Sequence, residues 1–328
     1  MKILDSSGLT DFLATVDREF NLTLPVIDAS GCRIYGTLQA GTPALHGGAL
    51  LAKPTSLFFP QEEDVHVEGG GDSEPPPEKQ LLAIGFTPKD LLCLGFIDRF
   101  FSDGFRDDIY FRRRQGALIA AVSGYVGADG GFIPPAFGNC DFEFIFDGKN
   151  WIINPYSEAG RGIAALIPYD APIDALSQVM AEVERYVDED AAIIKKASQI
   201  LMADLVPDSF WEEIAASCIL CTGCNLVCPT CTCFGVRDWR DADGFSRSRM
   251  WDSCQLDGFA REAGGHNPLG TEALRTRRRI HHKLAADMTK WGEMGCFTCG
   301  RCDAVCPTGI GIVAVARKMV ERFQHNLS

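Results

Sequence analysis

The chain has 328 residues, with 44 acidic against 31 basic side chains and 14 cysteines. Its apolar fraction of 46% and charged fraction of 23% are those of a globular protein, which excludes a disordered or collagen-like chain. No apolar run approaches the roughly 18 residues of a membrane span, and residues 1–20 scatter Lys2, Asp5, Asp11, Asp17, Arg18 and Glu19 through their apolar positions, unlike a signal peptide. A cytoplasmic protein without membrane insertion is expected. In a reducing compartment, so many cysteines point to metal or redox chemistry rather than to disulfides.

Taken in chain order, residues 11–20 place Phe12, Leu13, Val16 and Phe20 at helical intervals. Apolar runs at 24–27, 81–86, 118–122, 142–146 and 151–153, bounded by Gly and Pro, predict strands. Between the first two lies a stretch, 62–79, with three glycines and three prolines, which predicts a loop. Helices follow at 173–188 and 191–202. Beyond them the patterns are short and helical, at 259–264 and 274–288 around a turn at 267–270. A closing helix at 311–323 carries Ile312, Val315, Ala316, Met319, Val320 and Phe323 on one side. Charge and cysteine content divide the chain. Residues 218–328 hold eleven cysteines, 15 basic and 11 acidic side chains, a net of +4; the preceding residues hold 16 and 33, a net of −17. Two domains are expected, 1–190 and 191–328.

The cysteines carry the chemistry. Cys218-x-x-Cys221-x-x-Cys224-x-x-x-Cys228-Pro229 is repeated as Cys296-x-x-Cys299-x-x-Cys302-x-x-x-Cys306-Pro307. This is the run of two-cluster bacterial ferredoxins, in which the fourth cysteine serves the other cluster. Cys218, Cys221, Cys224 and Cys306 would then hold one [4Fe–4S], and Cys296, Cys299, Cys302 and Cys228 the second. Zinc is the competing reading of a single C-x-x-C pair, but the tripled spacing and its duplication favour clusters. The two runs are separated by 67 residues, too many for a minimal ferredoxin, so an all-helical ferredoxin domain is expected.

Cys231, Cys233 and Cys254 remain in this half. They are read as buried thiols packed around the clusters, with a third cluster or metal site completed by His266 as the less favoured reading. Cys32, Cys93 and Cys140, isolated among apolar or small residues, are expected in the core. Arg301 lies between two ligands of the second run, where it would stabilise a reduced cluster or form a salt bridge. The basic run Arg275, Arg277, Arg278, Arg279, His281, His282 and Lys283 reads as a solvated helix face or as a dock for an acidic protein. The overall net charge of −13 argues against nucleic acid. There is no G-x-G-x-x-G after a strand, no Walker A pattern and no nucleophile with a nearby base, so no catalytic residue is expected.

Residues 218–234, Trp251-Asp-Ser-Cys254, 259–268, 275–283 and the second cysteine run resemble the 4Fe–4S dicluster subunits. These include the beta subunit of cytoplasmic sulfhydrogenases, the corresponding iron–sulfur subunit of anaerobic sulfite reductase, and subunits of heterodisulfide-reductase-linked complexes. Over residues 1–190 the resemblance rests on 85–90, Asp98-Arg99-Phe100 and 107–114. It implies an electron wire in anaerobic metabolism, joining a flavin subunit that exchanges electrons with NAD(P) to a catalytic hydrogenase, sulfite reductase or heterodisulfide-reductase-type subunit. It also carries cluster ligation onto the eight cysteines above. Relatives often have Pro-Cys-Asp where this chain has Pro88-Lys89-Asp90, and further cysteines near 123–140, which argues against a metal site in the N-terminal part.

The expectation is therefore an α+β protein: an N-terminal α/β scaffold and docking domain, then a helical domain with two [4Fe–4S] clusters. It would serve as a non-catalytic electron-transfer subunit. The alternative is an iron–sulfur protein whose additional open-site cluster binds substrate or senses redox state.

Overall fold

The computed structural model of the chain describes residues 1–67, 79–242 and 244–327. It divides into two compact units. Met1–Pro54, Pro75–Gly95 and Phe101–Val187 form the first, and Thr55–Glu74, Phe96–Phe100 and Asp188–Ser328 the second.

In chain order the first unit begins with β1 (Lys2–Leu4), α1 (Ser6–Glu19), β2 (Asn21–Asp28), β3 (Arg33–Gly36) and β4 (Gly41–Pro43). After β5 (Glu62–Val67), which belongs to the second unit, come β6 (Leu81–Phe86), α2 (Pro88–Ser102, of which Phe96–Phe100 count with the second unit), α3 (Asp108–Gln115) and β7 (Leu118–Gly124). It closes with β8 (Phe142–Phe146), β9 (Trp151–Pro155), α4 (Glu158–Ala164) and α5 (Ser177–Arg185). Among the described residues these strands form one sheet in the order β1-β9-β8-β7-β6-β2-β3, with β4 also pairing β2. Strands β2, β6, β7 and β8 run parallel. Parallel strands are covered on both faces, which is why all seven residues of β7 are buried. Alternation along the strands sends Phe144 and Trp151 to the face covered by Phe12, Leu13 and Val16 of α1, and Ile145 and Ile152 to the face packed by Val179 of α5.

The motif that opens α2 is a cap. The Thr87 backbone N–H and hydroxyl donate to Asp90 Oδ2 at 3.0 and 2.9 Å, and the Asp90 N–H returns to Thr87 Oγ1 at 3.2 Å. Of the three cysteines expected in the core, Cys93 is buried and Cys140 half-buried, but Cys32 is exposed. It sits in the β2–β3 turn, whose Asp28 carboxylate accepts from the Ser30 and Cys32 N–H groups at 2.8 and 2.9 Å.

The second unit contains α6 (Glu189–Met202), α7 (Asp208–Ala216), α8 (Gly223–Leu226), β10 (Phe234–Asp241), β11 (Gly244–Trp251) and α9 (Glu272–His281). A π-helical turn (His282–Ala286) continues α9 into α10 (Asp287–Trp291), followed by α11 (Arg301–Val305) and α12 (Ile312–Phe323). Its core gathers Ile194 and Ile200 of α6, Phe210, Trp211 and Ile214 of α7, Ile280, Leu284, and Val315 and Met319 of α12. The expectation of an all-helical domain is corrected here. Strands β10, β11 and β5 form a three-stranded antiparallel sheet in this unit. Its side chains pair by charge rather than by apolar alternation: Arg247 meets Asp238 across β10–β11 at 2.6 Å, and buried Arg249 meets Glu63 across β11–β5 at 2.5 and 2.9 Å. The same sheet overturns the loop expected to begin at residue 62, since 62–67 is strand; residues 68–78 of that loop lie outside the described ones. Residues 259–264 are turns and not a helix, because Gly265 at φ +84° lets the chain reverse and Glu262 N–H bond back to His266 O at 2.9 Å. Among the described residues no helix is long and apolar enough to cross a membrane.

Candidate metal centre

The two cysteine runs fold alike. In the first, Leu220 (φ +54°) and Thr222 (φ +61°) flank Cys221 in the left-handed region; in the second, Thr298 (φ +52°) and Gly300 (φ +78°) flank Cys299 in the same way. Alternation between right- and left-handed backbone turns successive N–H groups toward one side, a concavity suited to anions and iron–sulfur sites. A short helix then leaves each loop, α8 after the first and α11 after the second, and the two helices pack on each other. The fourth cysteine of each run is followed by Pro and Thr, and the sulfur lies near that threonine hydroxyl. Cys228 Sγ is 3.3 Å from Thr230 Oγ1, and Cys306 Sγ is 3.5 Å from Thr308 Oγ1.

Cys218, Cys221, Cys224 and Cys306 line one cavity, shared with Gln255, Thr276, Arg279, Thr308 and Ile310. Cys306 thus shares a cavity with the three leading cysteines of the first run. Cys302 belongs to the hydrophobic core, and Cys224 and Cys296 pack against it. Burial, which disfavours the thiolate, pushes Cys296 and Cys302 up to about 12, with the charge of Cys302 adding to it at Cys296 and that of Asp303 at Cys302. Burial also raises Cys224. Cys228 goes the other way, below the ordinary thiol range, because the Cys231 thiol donates to it and Lys283 is near. For Cys306, burial is outweighed by hydrogen bonds from Thr308 and from the Ile310 N–H at 3.4 Å, and its thiol is lowered.

The basic run behaves differently from the expected solvated face. Arg275, Arg279 and Lys283, four residues apart, are buried at 3–6% exposure, whereas Arg278 is exposed and Arg277 pairs with Asp208 at 3.1 Å. Helix α9 therefore turns one basic stripe inward and one outward. Arg275 is held by Leu269 O at 2.8 Å and by Asp257 and Glu272. Burial alone would lower Arg279, but Cys224, Cys302, Cys231 and Cys228 around it push harder and hold it above its ordinary value. Lys283 Nζ donates to Thr230 Oγ1 at 2.7 Å, and Thr230 donates to Gly295 O at 2.6 Å. Gly295 is required there, since a Cβ would collide with the Asp287 carboxylate. Arg301 is also buried, at 2% exposure.

The remaining cysteines form pairs. The Cys231 thiol donates a hydrogen bond to Cys228, and the Cys233 thiol to Cys254, whose sulfur also accepts from Asn225 Nδ2 at 3.2 Å. The donated bond from Cys233 leads the causes that lower Cys254 to about 5. His266 is exposed and faces Glu262 at 3.3 Å. Among the described residues no three His, Cys, Asp or Glu side chains converge as a single ion requires. Cubane ligands have a different demand, since each of the four thiolates takes its own iron. Sequence reasoning missed Thr230, Thr308, Thr276, and the inward roles of Arg279 and Lys283. The repeated Cys-Pro-Thr was a legible sign for the first two.

The family model described as 4Fe-4S dicluster domain matches residues 217–310. The chain is 26% identical over 287 residues, 82% of its length and 81% of the relative's, to sulfhydrogenase 2 subunit beta of Pyrococcus furiosus. No solved structure matches it. The domain match and the similarity over most of the chain support a likeness to the 4Fe–4S dicluster electron-transfer subunits.

Proposed function

We propose that the chain relays electrons through two [4Fe–4S] clusters, one held by Cys218, Cys221, Cys224 and Cys306, the other by Cys296, Cys299, Cys302 and Cys228. The cavity that gathers Cys306 with the first run carries this reading, because a crossed fourth ligand is what the two-cluster arrangement demands. Two donors lining that cavity, Thr276 Oγ1 and Arg279 Nε, are buried without a hydrogen-bond partner among the described residues, which fits a sulfur-rich anionic group. Such clusters supply one-electron chemistry. The chain's own residues hold them, exclude water with Ile310 and Val305, and set their potentials.

The relay joins a flavin subunit that exchanges electrons with NAD(P) to the catalytic subunit of a cytoplasmic complex. The similarity to a sulfhydrogenase subunit favours a hydrogenase as that catalyst. Residues 1–190 serve as scaffold and dock, and residues 191–328 conduct. Cys221 and Ile219 are exposed, which makes the edge of the first cluster the place where electrons cross to a partner.

Iron and acid-labile sulfide measured on the anoxically purified chain should reach about eight of each. Near twelve irons would instead require a third cluster, and zinc without iron would overturn the reading. The second cluster, with Arg301 buried beside Cys302, should titrate at the higher potential; identical midpoints in an EPR-monitored titration would count against that order.

A further inference from the structure

Helix α9 and its π-helical continuation bring three buried donors to the cysteines. Thr276 and Arg279 line the cavity of the first set, where the Thr276 hydroxyl and Arg279 Nε have no partner among the described residues. Arg279 is 5% exposed, so solvent does not screen its charge. Lys283, one turn further on, is 6% exposed and reaches Thr230, whose hydroxyl lies 3.3 Å from Cys228 of the second set. Arg277 and Arg278 of the same helix do not share this stripe. A helix core does not accept two cations unless something of opposite charge receives them. Among the described residues Arg279 forms no ion pair with a carboxylate, and the cavity it lines is that of Cys218, Cys221, Cys224 and Cys306.

We infer that Thr276, Arg279 and Lys283 form a built-in counter-charge for the two clusters, Thr276 and Arg279 serving the first and Lys283, through Thr230, the second. A fixed cation or an O–H or N–H donor beside a cluster favours its reduced, more negative form and so raises its potential. The inference rests on the dicluster reading and specifies what sets the potentials along the wire. It assigns a tuning role to residues that are not ligands.

The test is an anoxic, EPR-monitored redox titration of the full chain with iron counted in the same samples. The variants are Arg279→Gln and Lys283→Gln, each beside its charge-keeping partner, Arg279→Lys and Lys283→Arg, together with Thr276→Val. The neutral variants should keep about eight irons, while at a fixed potential the reduced fraction of the neighbouring cluster falls about tenfold relative to the oxidised, a midpoint lowered by about 59 mV. Arg279→Gln should act chiefly on the first cluster and Lys283→Gln on the second. The charge-keeping variants should stay near the unaltered protein, and Thr276→Val should shift the first cluster alone, in the same direction by less. Full iron with unshifted midpoints overturns the proposal, as do charge-keeping variants that shift as far as the neutral ones. Should Arg279→Gln shed its iron, the comparison of Lys283→Gln with Lys283→Arg decides by the same criteria. An unaltered chain that binds no iron overturns the dicluster reading, and the counter-charge with it.

Discussion

Cys302→Ser is expected to take iron from about eight to about four per chain and to stop electron flow through the complex. Cys302 is buried in the hydrophobic core of its unit, so no outside thiol or water can readily stand in for the missing ligand. A serine that binds the iron weakly would leave a converted cluster with an altered EPR signal, and flow should still fall. The crossed assignment adds a sharper test. Cys306→Ser should abolish the same EPR signal as Cys221→Ser, although the two lie in different runs, and Cys228→Ser should abolish the other. If Cys306→Ser and Cys302→Ser erased one common signal, the ligand sets would be wrong. Full turnover of a complex lacking one cluster would refute the relay itself.

Glu63→Gln is expected to be the most damaging single change outside the cysteines, at about 3–5 kcal/mol. The Glu63 and Arg249 side chains are 2% and 6% exposed, and the guanidinium reaches Glu63 Oε1 through both Nε and Nη2. Its flat faces also lie 5.1 Å from the Phe59 ring and 5.4 Å from Phe234, so the site is desolvated on several sides. Taking away the carboxylate's charge removes the buried anionic acceptor on which two guanidinium nitrogens converge. Anoxic urea unfolding should show the midpoint falling at constant slope. The double variant Glu63→Leu with Arg249→Met should recover most of the loss, because an apolar pair of similar volume replaces a buried ion pair at little cost. A loss below about 1 kcal/mol for Glu63→Gln would mean the pair is solvated and the sheet is held otherwise.

The sequence reveals some of this architecture and hides the rest for identifiable reasons. Ligand spacing is a local property, so both cysteine runs were legible, and so were strands such as 81–86 and 142–146, whose buried faces demand unbroken apolar residues. The hairpin of β10 and β11 was not, because Arg237, Asp238, Arg247 and Arg249 stand where apolar alternation was sought. Yet Asp243-Gly244 is a turn signal that stands between them in the sequence. Strand β5 escaped because it finds its partner 186 positions away, and a composition rich in Glu gave no hint of a buried carboxylate. Within the basic run the letters alone do not separate Arg279 from Arg278. Only helical phase does, and the phase is set by Ile280 and Leu284 entering the core. Gly258 and the Gly264–Gly265 pair broke the apparent helix at 259–264, where apolar spacing alone was misleading.

The second unit is assembled from three separate stretches of chain, and this has a consequence for biosynthesis. Strand β5 leaves the ribosome long before β11, and the Glu63–Arg249 pair must wait for 186 further residues. At about 5–20 residues per second that is a delay of about 10–40 s. During it a charged strand, with Glu62, Glu63 and Asp64 in succession, waits without its partner. Those charges, costly once buried, are what keep a nascent edge from pairing with the wrong chain. For the same reason the second unit cannot be excised as one continuous cassette: a fragment starting at Asp188 would lose β5, Phe59 and Phe96 at once.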